Sequence, residues 1–230
     1  MSSPPKGNKT RRNFLFMAAG AVSAATLGTA VWPTKDDMNT PIKRPLTEKE
    51  IKLAHSVFGH SIDYKAVSVS NGRYGFFHPK GKVMTPNGNL YMDDSYSADY
   101  AQENSRSRGL FIHEMTHVWQ FQNGILYPVI AATKLQLKHK FNYDAAYSFH
   151  LDETKDLAQY GMEQQASIVQ EYFLAKHEGV VSKSGRCTNS CGGSEKIRLY
   201  EKVLEKFLKD PSYARQKKLL QSFKRRPPHP

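Results

Sequence analysis

The sequence predicts an α+β fold, mainly helical, with a small sheet packed beside one central helix. Three observations carry this expectation. Apolar residues recur at helical spacing over several long stretches, and only short segments alternate with a period of two. Between them, Leu110-Phe-Ile-His-Glu-Met-Thr-His-Val-Trp-Gln120 sets His113, Glu114 and His117 in an apolar, helix-compatible background. A chain of 230 residues can bury a core, and one domain with attachments is expected.

Residues 1–30 read as a targeting segment. A polar, basic start leads to Thr10-Arg11-Arg12-Asn13-Phe14-Leu15, then to an uncharged run of Ala, Gly, Val, Ser and Thr reaching Trp32. Gly28-Thr29-Ala30 has the small-x-small form expected before signal cleavage. The paired arginines followed by Phe-Leu resemble the twin-arginine export signal, which implies delivery of a folded protein to the periplasm or cell envelope of a bacterium. So many small residues make a weak membrane span, so membrane contact is expected only if the segment stays uncleaved. The formal charge is +12, of which Lys6, Lys9, Arg11 and Arg12 contribute four positive charges here. The balance permits long-range attraction to anionic polymers, but no nucleic-acid motif accompanies it, and no specific nucleic-acid partner is expected.

Residues 31–45, rich in Pro, Thr, Asp and Lys, are expected to be a linker. Thr47-Glu48-Lys49-Glu50 has the form of a capping box, and Ile51, Leu53, Ala54, Val57 and Phe58 continue it as an amphipathic helix ending at Gly59. Tyr64 to Ser70 alternates as a short strand. Val83-Met84-Thr85 and Asn89-Leu90-Tyr91-Met92 flank a Pro86-Asn87-Gly88 turn. Asn123-Gly124 stops the central helix. Further helices are expected over Val129 to Lys140, from Thr154 or Lys155 to about Lys176, and over Glu195 to Leu208 and Ser212 to Phe223, the last two separated by Asp210-Pro211. A polar Gly/Ser/Cys loop fills 179–194, and the basic tail 224–230 is expected to be disordered.

His113, Glu114 and His117 form a complete H-E-x-x-H. Residues four apart share one face of a helix about 6 Å apart, so both imidazoles can reach one metal ion. Two histidines and a glutamate are costly to bury unpaired, so a metal explains them better than core filling does. Zinc takes neutral nitrogen ligands and keeps one open position, and the adjacent Glu114 carboxylate can take a proton from an activated water. A third protein ligand is needed. A further His six residues after the second would fall at Asn123, with a Gly at Gln120, and neither is present. A Glu from a following helix is the other solution, and Glu163, in the apolar setting of Tyr160-Gly-Met-Glu-Gln-Gln-Ala166, is the choice. Glu171 is the competing ligand, ahead of Glu153 and Asp156.

With these residues, the chain resembles gluzincin-type zinc metallopeptidases, in which an H-E-x-x-H is joined by a downstream Glu. Phe111-Ile-His-Glu-Met-Thr-His-Val-Trp-Gln120 together with Glu163-Gln-Gln-Ala166 is also similar to Vgr-related zincin-like proteins associated with bacterial secretion loci. The resemblance spans roughly Ala66 to Phe173. It implies a zincin-like catalytic domain over 46–178, with the helices of 195–223 packed on it and a strand along the cleft before the motif helix. It also implies one Zn2+ held by His113, His117 and Glu163, with Glu114 as the catalytic carboxylate. The implied partners are a peptide, protein or peptidoglycan substrate and a secretion apparatus. Tyr160, Tyr143, Tyr147 and His150 are candidates for the donor that stabilises the tetrahedral oxyanion.

Cys187 and Cys191, separated by three residues in a Gly/Ser loop, are expected to form a small disulfide in an exported protein, adding little to global stability. Two free thiols or a metal half-site are the alternatives. The sequence thus points to an exported zinc peptidase cutting an amide bond, with a non-catalytic envelope or secretion-associated module holding a structural metal as the second reading.

Overall fold

The computed structural model describes residues 41–76, 78–125, 146–181, 184–189 and 193–215. The expected signal segment, the Val129 to Lys140 helix, Tyr143, Cys191 and most of the Ser212 to Phe223 helix lie outside the described residues. The observed architecture is α+β, as expected. Its three-stranded sheet has the order β1 (Lys43–Pro45), β2 (Ser68–Ser70), β3 (Leu90–Tyr91). Strands β1 and β2 are antiparallel, with Arg44 opposite Val69, and β2 and β3 are parallel, with Val69 opposite Leu90.

The expected linker therefore ends before β1. Arg44 explains why: its guanidinium donates to both oxygens of buried Glu50 at 2.8 Å and to the Ser97 carbonyl. Glu50 is also the N3 partner of the Thr47 capping box that starts α1 (Glu48–Phe58), and it accepts the Tyr100 backbone N–H at 2.9 Å. A buried carboxylate with this many donors is satisfied, so β1, α1 and the segment around Tyr100 are fixed together.

The predicted strand from Tyr64 is shorter than expected, because Asp63 accepts the Lys65 N–H and starts a 3-10 turn over Tyr64–Ala66. After β2, Met84 and Tyr91 exchange backbone hydrogen bonds of 3.0 and 3.1 Å across the Pro86-Asn87-Gly88 turn. Gly88 has φ +77, and a Cβ there would stand 2.7 Å from the Phe121 ring. The turn is thus pressed against the central helix, where only glycine fits.

That helix, α2 (Ser105–Gln122), begins at the Asn104 cap and ends at Asn123, whose amide donates to the Ser61 and Trp119 carbonyls. Every residue from Phe111 to Gln120 is buried. A helix buried all round has lost its solvent face, and α2 packs against α1, the Tyr100 segment and, most extensively, α3 (Met162–His177). The two long helices run antiparallel: Arg108 near the start of α2 forks onto Glu178 at the end of α3, and Gln120 at the far end donates to the Met162 carbonyl. Gly109 lets them approach, with Leu174 methyls 3.1 Å from where a Cβ would sit.

Helix α3 starts eight residues later than Thr154. Asp152 and Asp156 turn their carboxylates onto local N–H groups, at Thr154 and Ala158, and so favour turns and a short 3-10 segment over Leu157–Gln159. The helix proper waits for Gly161 as its N-cap. The C-terminal stretch forms α4 (Gly193–Val203) and α5 (Glu205–Lys209). It seals α2 from the other side: the Phe207 ring meets Trp119 edge-on at 5.2 Å and Phe58 at 5.9 Å, and the Trp119 indole N–H donates to the Pro211 carbonyl at 2.7 Å. Among the described residues no helix is long and apolar enough to cross a membrane.

Candidate metal centre

Helical spacing turns His113 and His117 to the same face of α2, where their rings stand 5.0 Å apart at 81°. That face looks onto the first turn of α3. Glu163 Oε2 lies 3.3 Å from Nε2 of His113 and 3.3 Å from Nε2 of His117. One ligating atom from each residue falls within 4.8 Å of the other two, and among the described residues this is the one group of three or more His, Cys, Asp or Glu with that property. The three side chains could hold a metal ion.

Each imidazole is oriented from behind. Gln120 spends its amide protons on the Met162 carbonyl (3.0 Å) and Gln165 Oε1 (2.9 Å), so its oxygen faces His117 Nδ1 at 2.8 Å. That oxygen can only accept, so Nδ1 carries a proton and Nε2 is turned towards Glu163. His113 Nδ1 lies 3.1 Å from Gln170 Oε1 on α3.

Electrostatics couples the site. Burial works against a charged His117, but the Glu163 charge and hydrogen bond outweigh it and raise its pKa from 6.5 to about 9 in the metal-free protein. Burial likewise works against a charged Glu163, and the two imidazoles hold its pKa far below the ordinary carboxylate range. Glu114, 5% exposed, lies on the adjoining face and accepts a 2.6 Å hydrogen bond from the Thr85 hydroxyl through Oε2.

The remaining candidates separate cleanly. Glu171 is buried but points elsewhere: Ser184 Oγ donates to one oxygen at 2.5 Å and the Tyr200 hydroxyl to the other at 2.8 Å. Glu153 pairs at the surface with Arg198, and Asp156 caps the 3-10 segment while accepting from Tyr213. The Tyr160 hydroxyl donates to the His150 carbonyl and accepts the Asp152 N–H. His150 is exposed beside Thr188 and Asn189. Tyr147 is different: its ring stacks on His113, with centroids 5.9 Å apart at 22°. Of the expected disulfide, Cys187 carries a free thiol and Cys191 lies outside the described residues.

Thr85, Gln120 and Gln170 were not legible as site residues. The only signal for Thr85 was its place in a short segment expected along the cleft. A glutamine on a helix reads as solvent-facing until its partner helix is known.

Similarity to known proteins accords with this architecture. Residues 1–40 match a family model described as the ubiquitinol-cytochrome C reductase Fe-S subunit TAT signal, which supports export across the cytoplasmic membrane. The type VI secretion system spike protein VgrG2b of Pseudomonas aeruginosa is 39% identical over 171 residues, covering 73% of this chain. The chain spans only 17% of that protein's length. The solved effector domain of Pseudomonas aeruginosa VgrG2b is 34% identical, with a TM-score of 0.53 over 70% of this chain and 82% of the domain. The chain belongs to the family of the VgrG2b effector domain.

Proposed function

We propose that this protein is an exported zinc-dependent peptidase that hydrolyses an amide bond in a protein or peptidoglycan peptide of the bacterial envelope. The observation that carries the proposal is the pair of 3.3 Å separations between Glu163 Oε2 and the two His Nε2 atoms. Ligands about 2.0–2.1 Å from a tetrahedral zinc lie about 3.3–3.4 Å from one another, so these two separations fit donors that share one zinc, and the His/His/Glu set suits its chemistry. The Nδ1–H tautomer of His117 leaves its Nε2 lone pair on the metal face, which fits a ligand role.

When bound, zinc supplies Lewis-acid polarisation of the scissile carbonyl and lowers the pKa of an attacking water. The chain's own residues do the rest. His113, His117 and Glu163 would hold the ion in a largely buried setting. Glu114, its carboxylate fixed by Thr85, takes a proton from the attacking water and returns it to the leaving amine. Tyr147, stacked against His113, is the candidate for stabilising the developing oxyanion.

The relatives support an effector role. One is named as a type VI spike protein and the other as its effector domain, which fits an association with that secretion apparatus. The Tat-type segment fits an envelope location for this chain. Substitution of Glu114 by Gln tests the enzyme reading. Hydrolysis of envelope proteins or peptidoglycan peptides should be lost while zinc remains bound. If the biological phenotype of the protein survives Glu114→Gln unchanged, the non-catalytic module is the better account.

A further inference from the structure

The two metal-face histidines are held by different parts of the fold. His117 is fixed by Gln120 on its own helix, and Gln120 is pinned in turn by α3. His113 depends on the loop that follows α3. Arg186 in that loop donates from Nη1 to Gln170 Oε1 at 3.1 Å, and the same oxygen lies 3.1 Å from His113 Nδ1. A guanidinium has no acceptor, so the Gln170 atom it meets must be the oxygen. With the amide thus oriented, His113 Nδ1 must be the donor, and its Nε2 is left facing Glu163. The Arg186 guanidinium also lies over the Tyr147 ring, 4.8 Å from its centroid, while Tyr147 stacks on His113. Four residues therefore close a cycle: His113, Gln170, Arg186 and Tyr147.

The loop itself is anchored. Ser184 donates to buried Glu171, the Phe149 N–H donates to the Arg186 carbonyl at 2.8 Å, and the Thr188 N–H donates to the Phe149 carbonyl at 2.9 Å. These bonds place Arg186 without help from the metal face.

We propose that Gln170 and Arg186 are positioning residues of the metal centre, fixing the tautomer and ring plane of His113 so that residues 184–189 belong functionally to the site. The inference rests on the zinc reading above for its affinity consequence, but not for its structural one. Outer hydrogen-bond partners of metal-bound histidines typically control affinity by about 10–100-fold.

The test compares Gln170→Leu, Gln170→Glu and Arg186→Met in the otherwise complete protein, with zinc affinity from chelator competition and the His113 Nδ1–H proton followed by NMR. Gln170→Leu removes the acceptor and should weaken zinc binding about 10–100-fold, with loss of the hydrogen-bonded Nδ1–H signal and an unchanged circular dichroism spectrum. Gln170→Glu keeps an acceptor for both neighbours and should restore affinity and signal. Arg186→Met, on a half-buried loop residue, should shift both readouts in the direction of Gln170→Leu, and it carries the test if the leucine variant fails to fold. Unchanged zinc affinity and an unchanged Nδ1–H signal in these variants would overturn the proposal. If the wild type binds no zinc, the peptidase reading fails, and the Nδ1–H signal alone decides whether Gln170 and Arg186 position His113.

Discussion

The Thr85 hydroxyl donates a 2.6 Å hydrogen bond to Oε2 of Glu114, joining the segment before β3 to the centre of α2 across 29 residues of sequence. Both side chains are buried, at 8% and 5% exposure. The bond fixes the plane of the carboxylate assigned to proton transfer. It also gives a buried carboxyl group a partner, where a hydrogen bond contributes about 0.5–1.5 kcal/mol. Because Thr85 sets the orientation of that carboxylate, Thr85→Val should lower kcat, by up to about 100-fold, while zinc content stays at the wild-type level. Steady-state kinetics with metal analysis on the same preparation checks it.

Glu163 and Glu171 occupy the same helix and should fail in opposite ways. Glu163→Ala should abolish tight zinc binding and, in the zinc-free protein, remove the partner that raises the His117 pKa, so that stability no longer declines between pH 6.5 and 9. Glu171→Ala removes the carboxylate that accepts from the buried Tyr200 hydroxyl. An unsatisfied buried polar group costs about 1–3 kcal/mol, so urea unfolding of the zinc-free form should shift by that order. Zinc stoichiometry in Glu171→Ala should remain that of the wild type.

The pH dependence of the zinc-free protein follows from His117 and Glu163. The His117 pKa is raised from 6.5 to about 9, so its stabilising charge is fully present below 6.5 and is lost as pH rises through 9. The Glu163 pKa is lowered from 4.5, so its contribution is present above 4.5 and is lost as pH falls below that value. Thermal unfolding without metal should thus be most favourable to the fold between pH 4.5 and 6.5, and should decline towards pH 9. Zinc must displace the His117 proton, so zinc affinity should change in the opposite sense, rising about tenfold per pH unit towards 9. Scanning calorimetry reads the first and calorimetric titration with zinc the second.

Phe207 tests whether the C-terminal helices belong to the domain. Its ring packs between Trp119 on the motif helix and Phe58 on α1, fully buried. Phe207→Ala should destabilise the protein by about 3–5 kcal/mol in urea unfolding, the usual cost of deleting a buried aromatic ring.

How much of this was legible in the sequence depended on the range of the interaction. The His113 and His117 pair was visible because i and i+4 on a helix is a local geometry, and α1 was visible because the Thr47 and Glu50 capping box is written within four residues. Glu163 could be chosen from its apolar helical setting, but only packing against α2 distinguishes it from Glu171. The start of α3 was misread because side-chain bonds of Asp152 and Asp156 compete with helix formation locally, and periodicity carries no trace of that competition. Strand β1 was hidden because Arg44 finds Glu50 and Val69 only in three dimensions. Thr85, Gln170 and Arg186 were illegible for the same reason: each acts on a residue at least 16 positions away.

The most direct test of the account is anomalous diffraction at the zinc absorption edge from crystals of the protein. The account predicts a single zinc peak about 2.0–2.1 Å from Nε2 of His113, Nε2 of His117 and a carboxylate oxygen of Glu163. A zinc-supplemented crystal with no peak at these three residues, or with its zinc elsewhere, would contradict it.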